Sequence, residues 1–364
     1  MVDITNPISL PFYKSVSKDT KALSLILGII FTWFLLAIAL SFLIPDISSS
    51  AISALPAYMK YASRNGGIIL ALACITTPLI LAKKSGDLSI IDYISKNWRH
   101  SVPMLIKVSA YAIVSLTSFA VFMFAYSTIK TRIPELIPFA WDETFMKMDR
   151  LIFLGNDPWT LFSWIYNHPA LLGFIDTIYD IWAGILVGTW ALCFISYGYA
   201  ANVRFRFPLA LLITWFVGGN LLAILLSSAG PCYYALATGL SDPYTQQLAT
   251  LATLDAEATL RAVRYQEILW NVYESPGLGL GGISAMPSMH CATSALLVLL
   301  AWNKPILRWI SLLFFGFIFI SSFVLAWHYA VDGILAVPVA LGAWWLSGRI
   351  LNHFTAPSAA RTKA

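Results

Sequence analysis

Two of the five histidines stand in contexts suited to chemistry. His290 closes the run SAMPSMH, and His328 opens HYAVD, with Asp332 four residues on. A carboxylate at i+4 can accept from one imidazole nitrogen and leave the other free to attack an electrophile. That makes a nucleophile with its orienting group, and a second histidine on the same face would add a general acid and base. Pro287 suits the first turn of a helix, where Ser288 and the free N–H groups would form an anion site touching His290. The upstream glycines Gly277, Gly279, Gly281 and Gly282 let a ligand approach the backbone closely. Two histidines and one carboxylate also make a plausible divalent-metal set, so spacing alone leaves that reading open.

The elements that must position these residues are membrane helices. Of 364 residues, 59% are hydrophobic, 14% aromatic and only 11% charged. Mean hydropathy is +0.74. Such a chain is not a soluble, fibrous, disordered or nucleic-acid-binding protein. Apolar runs bounded by charge or proline predict an all-α polytopic fold of about eight spans, near 22–44, 66–82, 103–129, 170–198, 208–228, 288–302, 305–327 and 331–351. The first span is too long for a signal-peptide core and is expected to be retained. The organisation expected is an N-terminal part, 1–102, with two extra spans, a six-helix core, 103–354, and a tail, 355–364. Cys232 and Cys291 could in principle meet on an oxidising side, and no CxxC or zinc spacing is present.

The net charge of +5 reads as topology, not as attraction to an acidic partner. Arg204, Arg206, Lys304 and Arg308 occupy two short connections, whereas the connection into the last span has no Lys or Arg. Both termini are therefore expected in the cytoplasm, with both histidines outside, as for a bacterial inner-membrane protein facing the periplasm. On that outer face two connections are long, 130–169 and 229–287. The first contains FMKMDRLIFLGNDPW, patterned like an interfacial helix or a packed lid; the second contains a short amphipathic helix with Glu257 and Arg261 at i, i+4. A phosphate bound at this face needs cations, and Arg261 and Arg264 come first, then Lys147 and Arg150, then Lys130 and Arg132. Asp176 and Asp180, one turn apart inside span four, would recognise head-group hydroxyls, hold those arginines, or form a structural ion pair. Asn220 reads as an ordinary interhelical hydrogen bond.

SAMPSMH followed by WHYAVD resembles the second and third signature motifs of the type 2 phosphatidic acid phosphatase superfamily, PSGH and SRxxxxxHxxxD. The likeness extends over 103–351. Met289, the SAGPCYY stretch at 228–234 and WDETFMKMDRLIFLGNDPW are more similar to the inositol phosphorylceramide synthase branch and its bacterial relatives. The resemblance implies a lipid-phosphatase-like core acting through phosphohistidine without a metal or other cofactor. His328 would attack phosphorus, Asp332 would orient it, and His290 would protonate the leaving group and deprotonate the acceptor. The substrate implied is a membrane lipid, with a lipid or sugar alcohol as acceptor in a phosphotransferase, or water in a phosphatase acting on phosphatidic acid or an isoprenoid phosphate. Two departures stand out: Ser321 and Ser322 replace Ser-Arg, and the basic first motif, KxxxxxxRP, is missing. A transporter is the competing class, but no internal repeat is visible and the polar residues gather near one face. The oligomeric state is not encoded in any motif.

Overall fold

The computed structural model describes residues 12–43, scattered positions between 55 and 71, and 98–196, 200–275 and 281–356. Every regular element among them is helical. In chain order these are α1 (Phe12–Leu43), α2 (Trp98–Lys130), α3 (Asp142–Ile152), α4 (Pro169–Ile195), α5 (Arg206–Phe216), α6 (Thr245–Ala258), α7 (Arg261–Glu274), α8 (Met289–Ala301), α9 (Pro305–Val324) and α10 (Ala330–Thr355), with shorter turns between them. Six stretches are long and apolar enough to cross a bilayer: Lys18–Phe42, Ile106–Leu136, Pro169–Ile195, Ala201–Leu225, Pro305–Val324 and Ala330–Thr355. In hydrocarbon only a helix satisfies its own N–H and C=O groups, and these runs carry little charge to oppose insertion. The chain is a polytopic helical membrane protein.

The count among the described residues falls short of eight. The expected span at 66–82 lies outside them. The one at 288–302 is the shorter helix α8, about 20 Å long at 1.5 Å per residue, against a hydrocarbon thickness of ~30 Å.

Large rings fill the bundle. Trp33 of α1 meets Phe122 of α2 at 5.3 Å between centroids. Trp190 of α4 stacks on Phe122 and on Phe194, and its indole N–H donates to the Ser115 carbonyl at 3.0 Å. Helix α5 runs on as a π-helical stretch, Val217–Leu222. There Gly218 allows a close approach: a Cβ on it would lie 2.5 Å from Met289 Cε and 3.3 Å from Pro287 Cγ. The missing side chain thus lets the first turn of α8 sit against α5.

The described residues of the two long connections are folded and packed. Helix α3 buries Asp142, Phe145, Met146 and Asp149 and leaves Leu151 80% exposed, and Leu154, in the turn just after it, is 91% exposed. It is a packed cover with a second, outward apolar face, so it joins both expectations for this segment. From α6 and α7, Gln247 donates to the carbonyls of Phe323 and Val324 at 2.7 and 3.2 Å, and Gln266 to that of Leu325 at 2.8 Å. Tyr166 adds its hydroxyl to the Val324 carbonyl at 2.8 Å. These side chains satisfy the carbonyls left unpaired where α9 stops.

Connections alternate between the two ends of the bundle, so the end that carries α6 and α7 also carries His290 and His328. The arginine and lysine bias leads to the expectation that this end faces outside, which labelling can test. In intact cells or spheroplasts, Ser241→Cys, exposed before α6, should react with an impermeant maleimide, whereas Asn303→Cys, exposed between α8 and α9, should react only after permeabilisation. The reverse labelling pattern would invert the topology.

Candidate active site

The turn 325–329 between α9 and α10 carries His328. Its Nδ1 lies 3.1 Å from Asp332 Oδ2, and the same oxygen accepts from the Tyr329 N–H at 3.1 Å. His328 is not on the helix, as the i+4 spacing suggested. Asp332 sits in the first turn of α10 and reaches back to a residue that precedes it. The carboxylate therefore both starts the helix and holds the imidazole. Burial holds the His328 ring below its ordinary pKa range, and the positive charge of Lys130 adds to that, so the ring is neutral near pH 7 and keeps a lone pair.

Two further carboxylates clamp this turn from α3. Asp149 accepts from the N–H groups of Ala330 and Val331 at 2.7 and 2.8 Å, the first donors of α10. Asp142 accepts from the Tyr329 hydroxyl at 2.8 Å and from the N–H groups of Ala229 and Gly230 at 2.9 and 2.8 Å. Burial raises both carboxyls, Asp149 to about 7, while the backbone donors pull them down. The SAGPCYY stretch is the other half of the clamp. Gly230, at φ +99°, packs so close that a Cβ would lie 2.7 Å from the Trp327 carbonyl oxygen, and the Cys232 N–H donates to the Ala326 carbonyl at 3.0 Å. Ser228 accepts from the N–H groups of Ala285 and Met286 at 2.9 and 3.2 Å, which fixes the approach to α8.

Helix α8 brings His290. Pro287 precedes this helix instead of opening it, and Ser288 is the N-cap, accepting weakly from the Cys291 N–H at 3.4 Å. The Ser288 N–H donates to the Asp332 carbonyl at 3.1 Å, which ties the two histidine-bearing elements together. The imidazole rings stand 6.0 Å apart between centroids. His290 is held between Tyr179, stacked at 4.4 Å, and Trp182 at 4.0 Å, both on α4. Trp182 is itself fixed by its N–H to Thr293 Oγ1 at 2.8 Å. The Tyr179 hydroxyl is buried and has no hydrogen-bond partner.

A neutral, carboxylate-oriented imidazole with a second imidazole 6.0 Å away between ring centroids is an arrangement suited to covalent transfer with acid–base assistance. A family model described as the PAP2 superfamily matches residues 143–346, more than half of the chain. The chain belongs to the PAP2 superfamily. No curated protein and no solved structure matches it. PAP2 superfamily members are phosphatases or phosphotransferases, and membership points to lipid phosphates as substrates.

Most of the cations proposed from the sequence already face carboxylates, beginning with Arg132, 2.6 Å from Glu135. Lys147 pairs with Glu143 at 2.6 Å on the surface. Arg150 makes a two-pronged contact with Asp157 at 2.8 and 3.0 Å. Arg261 bonds Thr177 and approaches Asp176 and Asp180 at 3.8 and 3.6 Å. Arg264 is exposed on α7. Asp176 accepts from the N–H groups of Arg261 and Ala262, both at 2.8 Å, so it anchors α7 and its arginine. Asn220 departs from expectation: both of its amide atoms are buried without a partner. Cys232 and Cys291 are free thiols. Where the superfamily motif has Ser-Arg, Ser321 and Ser322 turn their hydroxyls back to the Phe317 and Phe319 carbonyls, each at 2.7 Å. Among the described residues no three His, Cys, Asp or Glu side chains converge as metal ligands.

Asp142, Asp149, Tyr179 and Trp182 went unrecognised as site-building residues. Asp142, Phe145, Met146 and Asp149 follow i, i+3, i+4, i+7, a stripe that faces inward on any helix. Two aspartates inside such a stripe signal buried carboxylates that need donors. Asp149→Ala should lower the unfolding free energy by about 2–4 kcal/mol, because two helix-terminal N–H groups lose a charged acceptor. Tyr329→Phe, which removes a single hydroxyl from Asp142, should cost about 1–2 kcal/mol. Denaturant melts of the purified protein in detergent give both values; an Asp149→Ala melt equal to wild type would remove the clamp from the account.

Proposed function

We propose that this PAP2 superfamily protein is a membrane phosphotransferase that moves a phosphate or phospho-head-group from a lipid donor through a phosphohistidine on His328, as in inositol phosphorylceramide synthases. The observation that carries the reading is the His328 Nδ1 to Asp332 Oδ2 contact of 3.1 Å with His290 facing it at 6.0 Å between rings. His328 attacks phosphorus with its second ring nitrogen as the bond from phosphorus to the leaving oxygen breaks. Asp332 holds the Nδ1 proton and offsets the positive charge that develops on the ring. His290, entering the cycle as the imidazolium, gives its proton to the leaving alkoxide and becomes neutral. In the second half the acceptor hydroxyl loses its proton to His290 and attacks the phosphohistidine, which returns His328 to its neutral state.

An alcohol acceptor is favoured over water by the surroundings of the acid–base residue. Tyr179 and Trp182 cover His290 with rings at 4.4 and 4.0 Å, and His328 is 7% exposed. A site walled this way disfavours bulk water and suits an acceptor that brings its own apolar surface. Hydrolysis remains the reaction of the same triad when water takes the acceptor's place.

His328→Ala should abolish turnover, and Asp332→Asn should reduce it by about 10³-fold or more, the scale seen when an imidazole loses its orienting carboxylate. Wild type treated with labelled phospholipids and isoprenoid phosphates, with and without an alcohol acceptor, should yield a new lipid in the first case and carry an acid-labile label on His328. Residual turnover by His328→Ala at saturating substrate would rule out this nucleophile, and free phosphate as the sole product would make the protein a phosphatase.

A further inference from the structure

A tetrahedral phosphate ester is an anion throughout the reaction, the neutral His328 ring supplies no positive charge to receive it, and the His290 proton leaves with the alkoxide. The arginine of the third motif is absent, and position 322 is a buried serine bonded to its own helix. Arg264 is exposed to solvent on α7, and on the same histidine-bearing end Arg132, Lys147, Arg150 and Arg261 each face a carboxylate within 4 Å. Lys130 does not. It is the last residue of α2, half-buried, and among the described residues its ammonium has no hydrogen-bond or ion-pair partner.

The backbone places Lys130 beside the site. The segment leading into α8 is laid on it: a Cβ at Gly282 would collide with the Lys130 carbonyl and come within 2.7 Å of its Cγ. Three residues on, the Ala285 carbonyl flanks the His328 ring, and the same segment ends at Ser288, the cap of the helix that carries His290. One short stretch of chain therefore touches the lysine and both histidines. Among the described cations, Lys130 is the one whose charge acts on His290 and His328 alike.

We infer that Lys130 is the phosphate-binding cation of this site, receiving the non-bridging phosphoryl oxygens in place of the arginine that the third motif lacks. A cation there comes from a different helix than the nucleophile's own hairpin, and stabilises the charge that gathers on the phosphoryl oxygens as His328 attacks. The role rests on the phosphoryl-transfer reading above, but the anion site can be tested without turnover.

The full-length protein in detergent is melted in increasing inorganic phosphate, with ionic strength held constant by chloride. Wild type should gain a saturable rise in melting temperature. Lys130→Met should weaken the phosphate affinity by about ten- to a hundredfold, the scale of one charge-assisted hydrogen bond. Lys130→Arg should stay within a few-fold of wild type. Lys130→Gln, which keeps a polar chain, serves as a second neutral variant should the methionine variant not fold. Wild-type affinity in either neutral variant, or no saturable effect of phosphate on wild type, would overturn the assignment. His328→Ala in the same assay separates the two ideas. If it turns over substrate while Lys130→Met loses phosphate, the phosphohistidine reading fails and the anion site stands. If it is inactive while Lys130→Met binds phosphate normally, the reverse holds.

Discussion

Everything near the histidines depends on keeping one irregular turn satisfied at the mouth of a membrane bundle. Between Val324 and Ala330 the chain leaves one helix and starts another, so the last carbonyls of α9 and the first N–H groups of α10 have no partners of their own. In a poorly hydrated setting each such group costs free energy comparable to a lost hydrogen bond. The protein answers with side chains from distant segments: Gln247, Gln266 and Tyr166 on the carbonyls, Asp149 and Asp332 on the N–H groups. The long outer connections are therefore not decoration on a six-helix core. They supply the groups without which the His328 turn would have buried, unpaired backbone.

The same requirement explains why so much negative charge sits close to a site meant for an anion. Asp142, Asp149 and Asp332 are buried, yet each is committed to backbone N–H or hydroxyl donors and points its charge into the scaffold. Their donors lie at helix starts or in the tight Ala229–Gly230 turn, where the backbone presents partial positive charge. Rigidity follows from this arrangement. An imidazole fixed by a carboxylate that is itself fixed by the backbone is held along one line, and orientation of that kind contributes most to a two-centre reaction such as the transfer proposed above.

The fold class was legible because its signal is redundant: long apolar runs state the same thing many times over. The pairing of His328 with Asp332 was also legible, since any structure that starts a helix near Tyr329 brings i and i+4 together, whether or not the histidine is helical. The partners of the charges were legible only in part. That Asp176 and Asp180 hold an arginine was one of the alternatives open in the sequence, and the packing of α7 on α4 selects Arg261. Arg150 looked free because Asp157 lies outside its own helical turn, and only the closing of the turn after α3 joins them. Asp149 was visible as one charge in an interfacial pattern, but its inward direction shows only when it is counted in register with Phe145 and Met146. Tyr179 and Trp182 resembled any aromatic residues of a membrane helix, and their contact with His290 exists only across helices.

The serine at 322 ties these points together. Its carbonyl accepts from the N–H groups of Trp327 and His328 at 2.9 and 3.1 Å, and its hydroxyl bonds the Phe319 carbonyl, so the residue lies under the catalytic turn as part of its floor. It is fully buried. An arginine there would have to thread a long cationic chain past that floor, and in exchange it would put the positive charge on the nucleophile's own hairpin. With serine the floor can close, Cys291 and Gly333 can pack behind it, and a Cβ at Gly333 would already lie only 3.1 Å from the Cys291 sulfur. Tight packing under the turn and a cation within the turn thus compete for the same space. A chain that chooses the first has to take the charge for a bound phosphate from another helix, and under the Lys130 proposal the electrostatics of the site would depend on how α2 and the segment before α8 are held together.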